Sequence, residues 1–352
     1  MGWTTKAVFR WLRLCCSSSN ESSAADLPAR GGGILVVGGA DAPELTVREV
    51  NEATARFSGA RLVGEGDHAR VYRASLRTGR AAAAKRLRLV HRDSDDVIAS
   101  TRRQMSAAAS RLRHRNVARL LGYTVAADLR VLLYEFADLG TLHDALHLHG
   151  DRPPLSWAQR VRVALDAARG LAYLHAASAG AAAHGDFRSS KVLLFPGFRA
   201  KVADGHKVFR RQTDQEELGY AQVRRASTVA HMPPEWFSMV HMTPKSDVFS
   251  FGVVLLELLT GAPKPFDFDA TDRGGCGNLW SWAAPLLAEG RVEECIDPKL
   301  GGQYPRAGAL ELGRIAVQCL QEDLTSRPSM DTVARLINCD VIFRDQHGCR
   351  LL

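Results

Sequence analysis

The hydrophobic pattern of this chain shifts near Phe136 from largely β-type to helical, and that shift limits the folds open to it. Before it, the segment LTVREVNEATARF has helical apolar spacing, and short β-type segments follow, with one helical stretch around residues 96–112. After it, long helical patterns dominate, as in WAQRVRVALDAARGLAYLH and VFSFGVVLLELLT. A small strand-rich part followed by a larger helical part predicts an α+β arrangement of two lobes. The 352 residues, 46% of them hydrophobic, suffice to bury a large core. No internal repeat is present, and the alanine runs AAAAK, SAAAS and AGAAAH read as compositional drift.

The N-terminal stretch has a different character. In MGWTTKAVFRWLRLCCSS, Lys6, Arg10 and Arg13 share one face if the segment is helical, with Val8, Phe9, Trp11 and Leu12 filling much of the rest. A short basic amphipathic helix suits an anionic membrane surface; the alternative is a disordered tail. Gly2 is a candidate for myristoylation, although Lys6 stands where the usual motif has Ser or Thr and Trp3 is bulky. Cys15 and Cys16, beside basic residues, are candidates for palmitoylation, and stable anchoring needs two such signals. Ser17 to about Ala42 is rich in Ser, Gly and Ala and reads as a linker, with one apolar run, ILVV. No apolar run reaches the roughly 18 residues that span a bilayer, and Arg10 and Arg13 interrupt any signal-peptide core. Seven scattered cysteines without metal-ligand spacing predict reduced thiols and an intracellular chain. The net charge of +8 contains no Lys/Arg block long enough for a nucleic-acid arm, so no nucleic-acid partner is expected.

The residues that carry chemistry come in a fixed order. First is Val63-Gly64-Glu65-Gly66-Asp67-His68-Ala69-Arg70-Val71-Tyr72, with Lys85 following in AAAAKRL. A glycine pair alone is weak evidence, since turns commonly need glycine; its place before a β-like segment and a lysine is more telling. Then come His184-Gly185-Asp186-Phe187-Arg188-Ser189-Ser190-Lys191, Ala203-Asp204-Gly205-His206, Pro233-Pro234-Glu235, Asp247 in SDVFSFGVVLLELLTG, and Arg327 in SRPSM. This series resembles the protein-kinase signature of Gly-rich loop, strand Lys, H-R-D-x-x-x-x-N, D-F-G and A-P-E. The stretches LRVLLYEFADLGTLHDALH, DFRSSKVLL, TPKSDVFSFGVVLLELLTG and EECIDPKLGGQYP look like plant receptor-like cytoplasmic kinases of the Pto-interacting type.

The resemblance implies a kinase domain over 45–338, its N-lobe ending at about 136, after an anchoring segment and linker at 1–44 and before a tail at 339–352. It implies ATP as ligand, with Val63, Gly64 and Gly66 over the phosphates and Lys85 on the α- and β-phosphates. Val71, Ala83 and Leu193 would surround adenine, Tyr134 would guard the back of that pocket, and the Glu135–Ala137 backbone would face the base. Asp186 would accept the substrate hydroxyl proton, Arg188 would neutralise phosphate charge, and Asp204 would hold the metal. Asp247 would anchor the catalytic loop, and Arg327 would pair with Glu235.

Several positions depart from the pattern. Ala69 replaces the third glycine, Gly185 the loop Arg, Lys191 the metal-ligating Asn, and Gly205 and His206 the Phe and Gly of D-F-G. The acid that pairs the strand Lys is missing too: Met105 or Gln104 takes its place, and Asp95 or Asp96 would serve only in another helix register. The expected function is a pseudokinase or strongly impaired serine/threonine kinase. It would bind ATP weakly, with Mg or Mn doubtful, and scaffold or regulate an active kinase or receptor complex at the cytoplasmic face of the plasma membrane. The alternative is an active serine/threonine kinase using one metal ion, with Asp186 as base. His68, His143 and His147 read as surface or satisfied polar groups, Trp157, Trp280 and Trp282 as packing residues, and Ser227 and Thr228 as phosphorylation candidates.

Overall fold

The computed structural model describes residues 42–66, 69–89, 92–148, 153–178, 182–209, 231–237, 242–262 and 279–343. The described residues divide into two compact units, 42–103 with Leu120–Phe136, and Gln104–Arg119 with those from 137 to 343. Gly2, Cys15, Cys16, His68, Ser227 and Thr228 lie outside the described residues.

The first unit opens with helix α1 (Val47–Ala53), which starts at a capping box in which Thr46 and Glu49 satisfy each other's backbone N–H. Strands β1 (Leu62–Glu65), β2 (Ala69–Ser75) and β3 (Ala81–Leu87) follow, then helix α2 (Asp95–Arg111), whose last turns group with the second unit. Strands β4 (Leu120–Ala126) and β5 (Leu129–Glu135) complete an antiparallel sheet of order β1-β2-β3-β5-β4. The alternation of β3 explains its alanines: Ala82 and Ala84 are fully buried in a core with Tyr72, Val131 and Leu133. Ala83 and Lys85 therefore occupy the opposite face, by the two-residue period of a strand.

The second unit is mainly helical: α3 (Leu142–His147), α4 (Trp157–Ala177), the hairpin of β6 (Val192–Phe195) and β7 (Arg199–Val202), α5 (Pro244–Thr260), α6 (Leu279–Ala288), α7 (Arg306–Cys319) and α8 (Met330–Leu336). Helix α5 is buried all round from Ser246 to Thr260, as its unbroken apolar run requires. Buried charges are paired. Arg160 donates to the Leu155 and Leu258 carbonyls and to Asp297, and Arg327 grips Glu235 through two bonds of 2.8 Å. Trp157 is buried and Trp280 packs edge-on to Phe249, but Trp282 is 44% exposed. The buried stripe of α6 is Leu279, Ala283 and Leu287, so Trp282 sits beside it and faces solvent, against the sequence expectation. No helix among the described residues is long and apolar enough to cross a membrane.

One polar cluster ties three separate segments to α5. Glu257, wholly buried, accepts from Ser189 (2.9 Å) and His147 (3.1 Å) on one oxygen and from His231 (3.1 Å) on the other. His147 is thus an interior hydrogen-bonding group, its side chain only 3% exposed. Burial alone would push the Glu257 carboxyl up, yet His231 and His147 outweigh it and hold it at about 2. Because the folded value lies below the unfolded one, this stability is complete above about pH 4.5 and drains away as pH falls towards 2. Urea unfolding at a series of pH values should show a loss on the order of 3 kcal/mol across that window. Glu257→Gln should be less stable at pH 7 and should flatten the slope between pH 4.5 and 2; an unchanged slope would remove Glu257 as its source.

Candidate active site

The second unit builds a cluster of opposed charges on two fixed supports. The first is Asp247 of α5, wholly buried, whose two oxygens accept the backbone N–H of His184 (2.6 Å) and of Gly185 (2.9 Å), with His175 Nε2 at 2.8 Å from the former oxygen. Burial works against its charge, but His175, His184 and the Gly185 N–H hold its pKa below the ordinary value. Gly185 has φ +72°, a left-handed conformation that glycine adopts without strain. The His184 ring sits 2.9 Å from the Ala203 carbonyl through Nε2 and 3.3 Å from the Asp186 N–H through Nδ1. One nitrogen donates and the other accepts, which is the neutral ring. Burial, followed by the charge of Lys207, pushes its pKa down to about 4.

The second support is the β6–β7 hairpin. Val192 pairs with Val202, and the Ala203 N–H continues the ladder to the Lys191 carbonyl at 2.8 Å, so Lys191 and Asp204 leave the hairpin side by side. Lys191 Nζ lies 2.8 Å from Asp204 Oδ2 and 3.4 Å from Asp186 Oδ2. A short helical turn, Gly205–Phe209, then brings Lys207 back over the pair: its Nζ is 2.6 Å from Asp186 Oδ2 and 3.8 Å from Asp204 Oδ2. Arg188 Nε adds a contact of 3.4 Å to Asp186 Oδ1. Among the described contacts, two carboxylates therefore face three cations. Burial disfavours the charge of Asp186, but Lys191, Lys207 and Arg188 overcome it and keep this carboxyl well below the usual range. Lys191 is likewise held above the usual lysine value, since Asp186 and Asp204 together outweigh its burial.

Lys207 is the member of this cluster that sequence reasoning missed. It lies three residues after Asp204, a spacing that one helical turn converts into contact, and that spacing was the available signal. The donor set has a clear consequence. A magnesium-type ion takes near-octahedral oxygen ligands, whereas an ammonium is a donor only and supplies no ligand. Asp186 Oδ2 and Asp204 Oδ2 already accept from lysines, and among the described residues no three His, Cys, Asp or Glu side chains converge as a metal site. These residues do not fit a pair of divalent ions.

The remaining candidates lie on well-defined elements. In the first unit the Gly66 N–H meets the Ala69 carbonyl at 2.9 Å, closing the β1–β2 turn; its tip, Asp67 and His68, lies outside the described residues. A Cβ at Gly64 or Gly66 would meet nothing closer than 3.7 Å, so neither glycine is required by crowding within the protein. Val63 and Gly64 belong to β1, Val71 lies opposite Lys85, and Lys85 lies opposite Leu132. Ala83 is opposite Tyr134, which is buried, and Glu135 ends β5 opposite Ala82. In the second unit the Ala137 carbonyl accepts the Gly140 N–H, and Leu193, half-buried, bridges to Thr141 and pairs with Lys201. On α2, Met105 is buried and Gln104 donates to the His206 carbonyl at 3.2 Å. Asp95 and Asp96 stand in the first turn of α2, roughly 15 Å before Met105 along the axis.

Position 205 is tight for any added side chain. A Cβ there would lie 2.9 Å from Leu174 Cδ2, 3.1 Å from Val117 Cγ1 and 3.3 Å from Leu112 Cδ1. Neighbouring leucine and valine side chains would thus have to shift for a side chain to be added there. Gly205→Phe should lower stability by about 1–3 kcal/mol, seen as a lower melting temperature; an unchanged or raised melt would show that this pocket opens freely.

Residues 58–337 match the family described as protein tyrosine and serine/threonine kinase. The chain is 42% identical over 303 residues to PTI1-like tyrosine-protein kinase 3 of Arabidopsis thaliana, covering 84% of this chain and 72% of that one. It is 41% identical over 303 residues to PTI1-like tyrosine-protein kinase 2 of the same plant, covering 84% and 81%. Against the receptor-like serine/threonine-protein kinase ALE2, also from Arabidopsis thaliana, identity is 37% over 85% of this chain and 38% of that one. The five-stranded antiparallel sheet, the helical second unit and the length of the match agree: this chain belongs to the protein tyrosine and serine/threonine kinase family, and plant kinases of the Pto-interacting type are among its relatives.

Proposed function

We propose that this chain is a pseudokinase, or a strongly impaired serine/threonine kinase, that binds ATP weakly and acts by scaffolding or regulating an active kinase. The family in general uses ATP with a divalent cation. The observation that carries the proposal is the pair of ammonium groups, Lys191 and Lys207, seated on Asp186 and Asp204. Phosphoryl transfer depends chiefly on positioning and electrostatic stabilisation, so these carboxylates matter through what they are able to hold. An Asp186 held well below the usual carboxylate range is also a poor acceptor for a hydroxyl proton near neutral pH. Losing one preorganised electrostatic contact typically costs about 10²- to 10³-fold in rate. Here the positions of the loop Asn, the loop Arg and the D-F-G Phe and Gly are all occupied by other residues.

The second reading, an active serine/threonine kinase, draws its support from what remains. Lys85, Asp186 and Asp204 keep their places, and Arg188 stays within 3.4 Å of Asp186. Radiolabelled phosphate transfer by the purified chain, with magnesium and with manganese, separates the two. The expected result is no signal above an Asp186→Asn control, and none gained by Lys191→Asn. A signal that the control abolishes, or that Lys191→Asn raises, would transfer the assignment to the enzyme.

The proposed place of action is the cytoplasmic face of the plasma membrane, and the support is the basic amphipathic segment with Lys6, Arg10 and Arg13 beside Cys15 and Cys16. An active kinase or receptor complex there is the proposed partner. Changing Gly2, Cys15 and Cys16 together to Ala should move the protein from the membrane to the soluble fraction. Retention on the membrane would mean that acylation is not the anchor.

A further inference from the structure

Resting on the reading that this cluster meets the phosphate end of a nucleotide, we infer that Lys191 and Lys207 serve as the resident cations of the site. It therefore takes a nucleoside polyphosphate as the free anion and disfavours its divalent-metal complex.

Both ammonium groups touch both carboxylates, at 2.8 and 3.4 Å for Lys191 and at 2.6 and 3.8 Å for Lys207. This is the bridging relation that a bound ion has to a pair of acidic side chains. Neither lysine is a flexible surface group. Lys191 is fixed by the last rung of the β6–β7 hairpin, and Lys207 by the turn whose N–H returns to the Asp204 carbonyl at 3.0 Å. Their side chains are 16% and 7% exposed, so the cluster keeps an edge open to a ligand while little water screens it.

The charge balance then decides which ligand is favoured. Among the described contacts, Lys191, Lys207 and Arg188 set three cations against the two carboxylates of Asp186 and Asp204. Lysine is a well-suited point charge for phosphate oxygens. An entering divalent ion at these carboxylates would sit within a few ångströms of two ammonium groups, where repulsion is strong. Magnesium bound to the nucleotide also cancels part of the negative charge that the lysines would attract. Magnesium should accordingly oppose binding here.

Calorimetric titration of the full chain with ATP at constant ionic strength tests this, once with EDTA and once with excess magnesium. The expected result is binding in EDTA that magnesium weakens or leaves unimproved. Tripolyphosphate should compete and AMP should not, since the phosphate chain carries the recognition. The double variant Lys191→Asn with Lys207→Leu should lose about tenfold or more of the metal-free affinity, and in it magnesium should strengthen binding. Wild-type binding that requires magnesium would overturn this inference while leaving ATP binding itself in place. An absence of ATP binding under both conditions would overturn both. The EDTA–magnesium comparison uses the unaltered protein, so it remains decisive even if the double variant fails to fold.

Discussion

The carboxylate of Asp247 is the interaction from which the geometry of the second unit follows. It is wholly buried in a helix that is itself buried all round, and such a charge is tolerated only when its oxygens are fully engaged. The engagement here is with backbone: the N–H groups of His184 and Gly185, joined by His175. A loop held by its main chain keeps its path whatever side chains it displays. Glu257, almost three turns further along the same helix, adds Ser189 of that loop through its hydroxyl. The frame of a kinase catalytic loop is thus preserved independently of the residues that decide its chemistry.

On that frame the chemistry has been redistributed. Asp186 and Asp204 remain, and in place of a partner that offers oxygen there are groups that offer only N–H. Lys191, Lys207 and Arg188 together lower the basicity of Asp186. The same contacts stabilise the loop and change what it is able to do. The surviving acids alone suggest a kinase, and the missing ligands alone suggest an empty shell; the ammonium groups account for both.

Much of this is legible in the sequence because it depends on order and period. The change of pattern near Phe136 and the burial of VFSFGVVLLELLT follow from patterns that local physics enforces, whereas the pairing of Glu235 with Arg327 is what the kinase resemblance implies. Lys191 stands out because it occupies a defined place in a motif. Lys207 does not, since its role arises only when the hairpin register and one helical turn fold it back on Asp186. His147 reads in sequence as a surface or satisfied group, and only the tertiary fold shows that it is buried against Glu257. Trp282 goes the other way, because an aromatic residue on a short apolar helix gives no sign of which side faces the core.

The packing around Gly205 carries a consequence for any change at that position. With Leu174, Val117 and Leu112 already in contact distance of any β-carbon at that position, a bulky side chain there becomes tolerable only after its neighbours shrink or shift. Each of those changes made first, on its own, leaves a cavity in a core that has no use for one. The residue at 205 and its surroundings are therefore coupled: a larger side chain there and a smaller one at Leu174, Val117 or Leu112 should be tolerated better together than either alone.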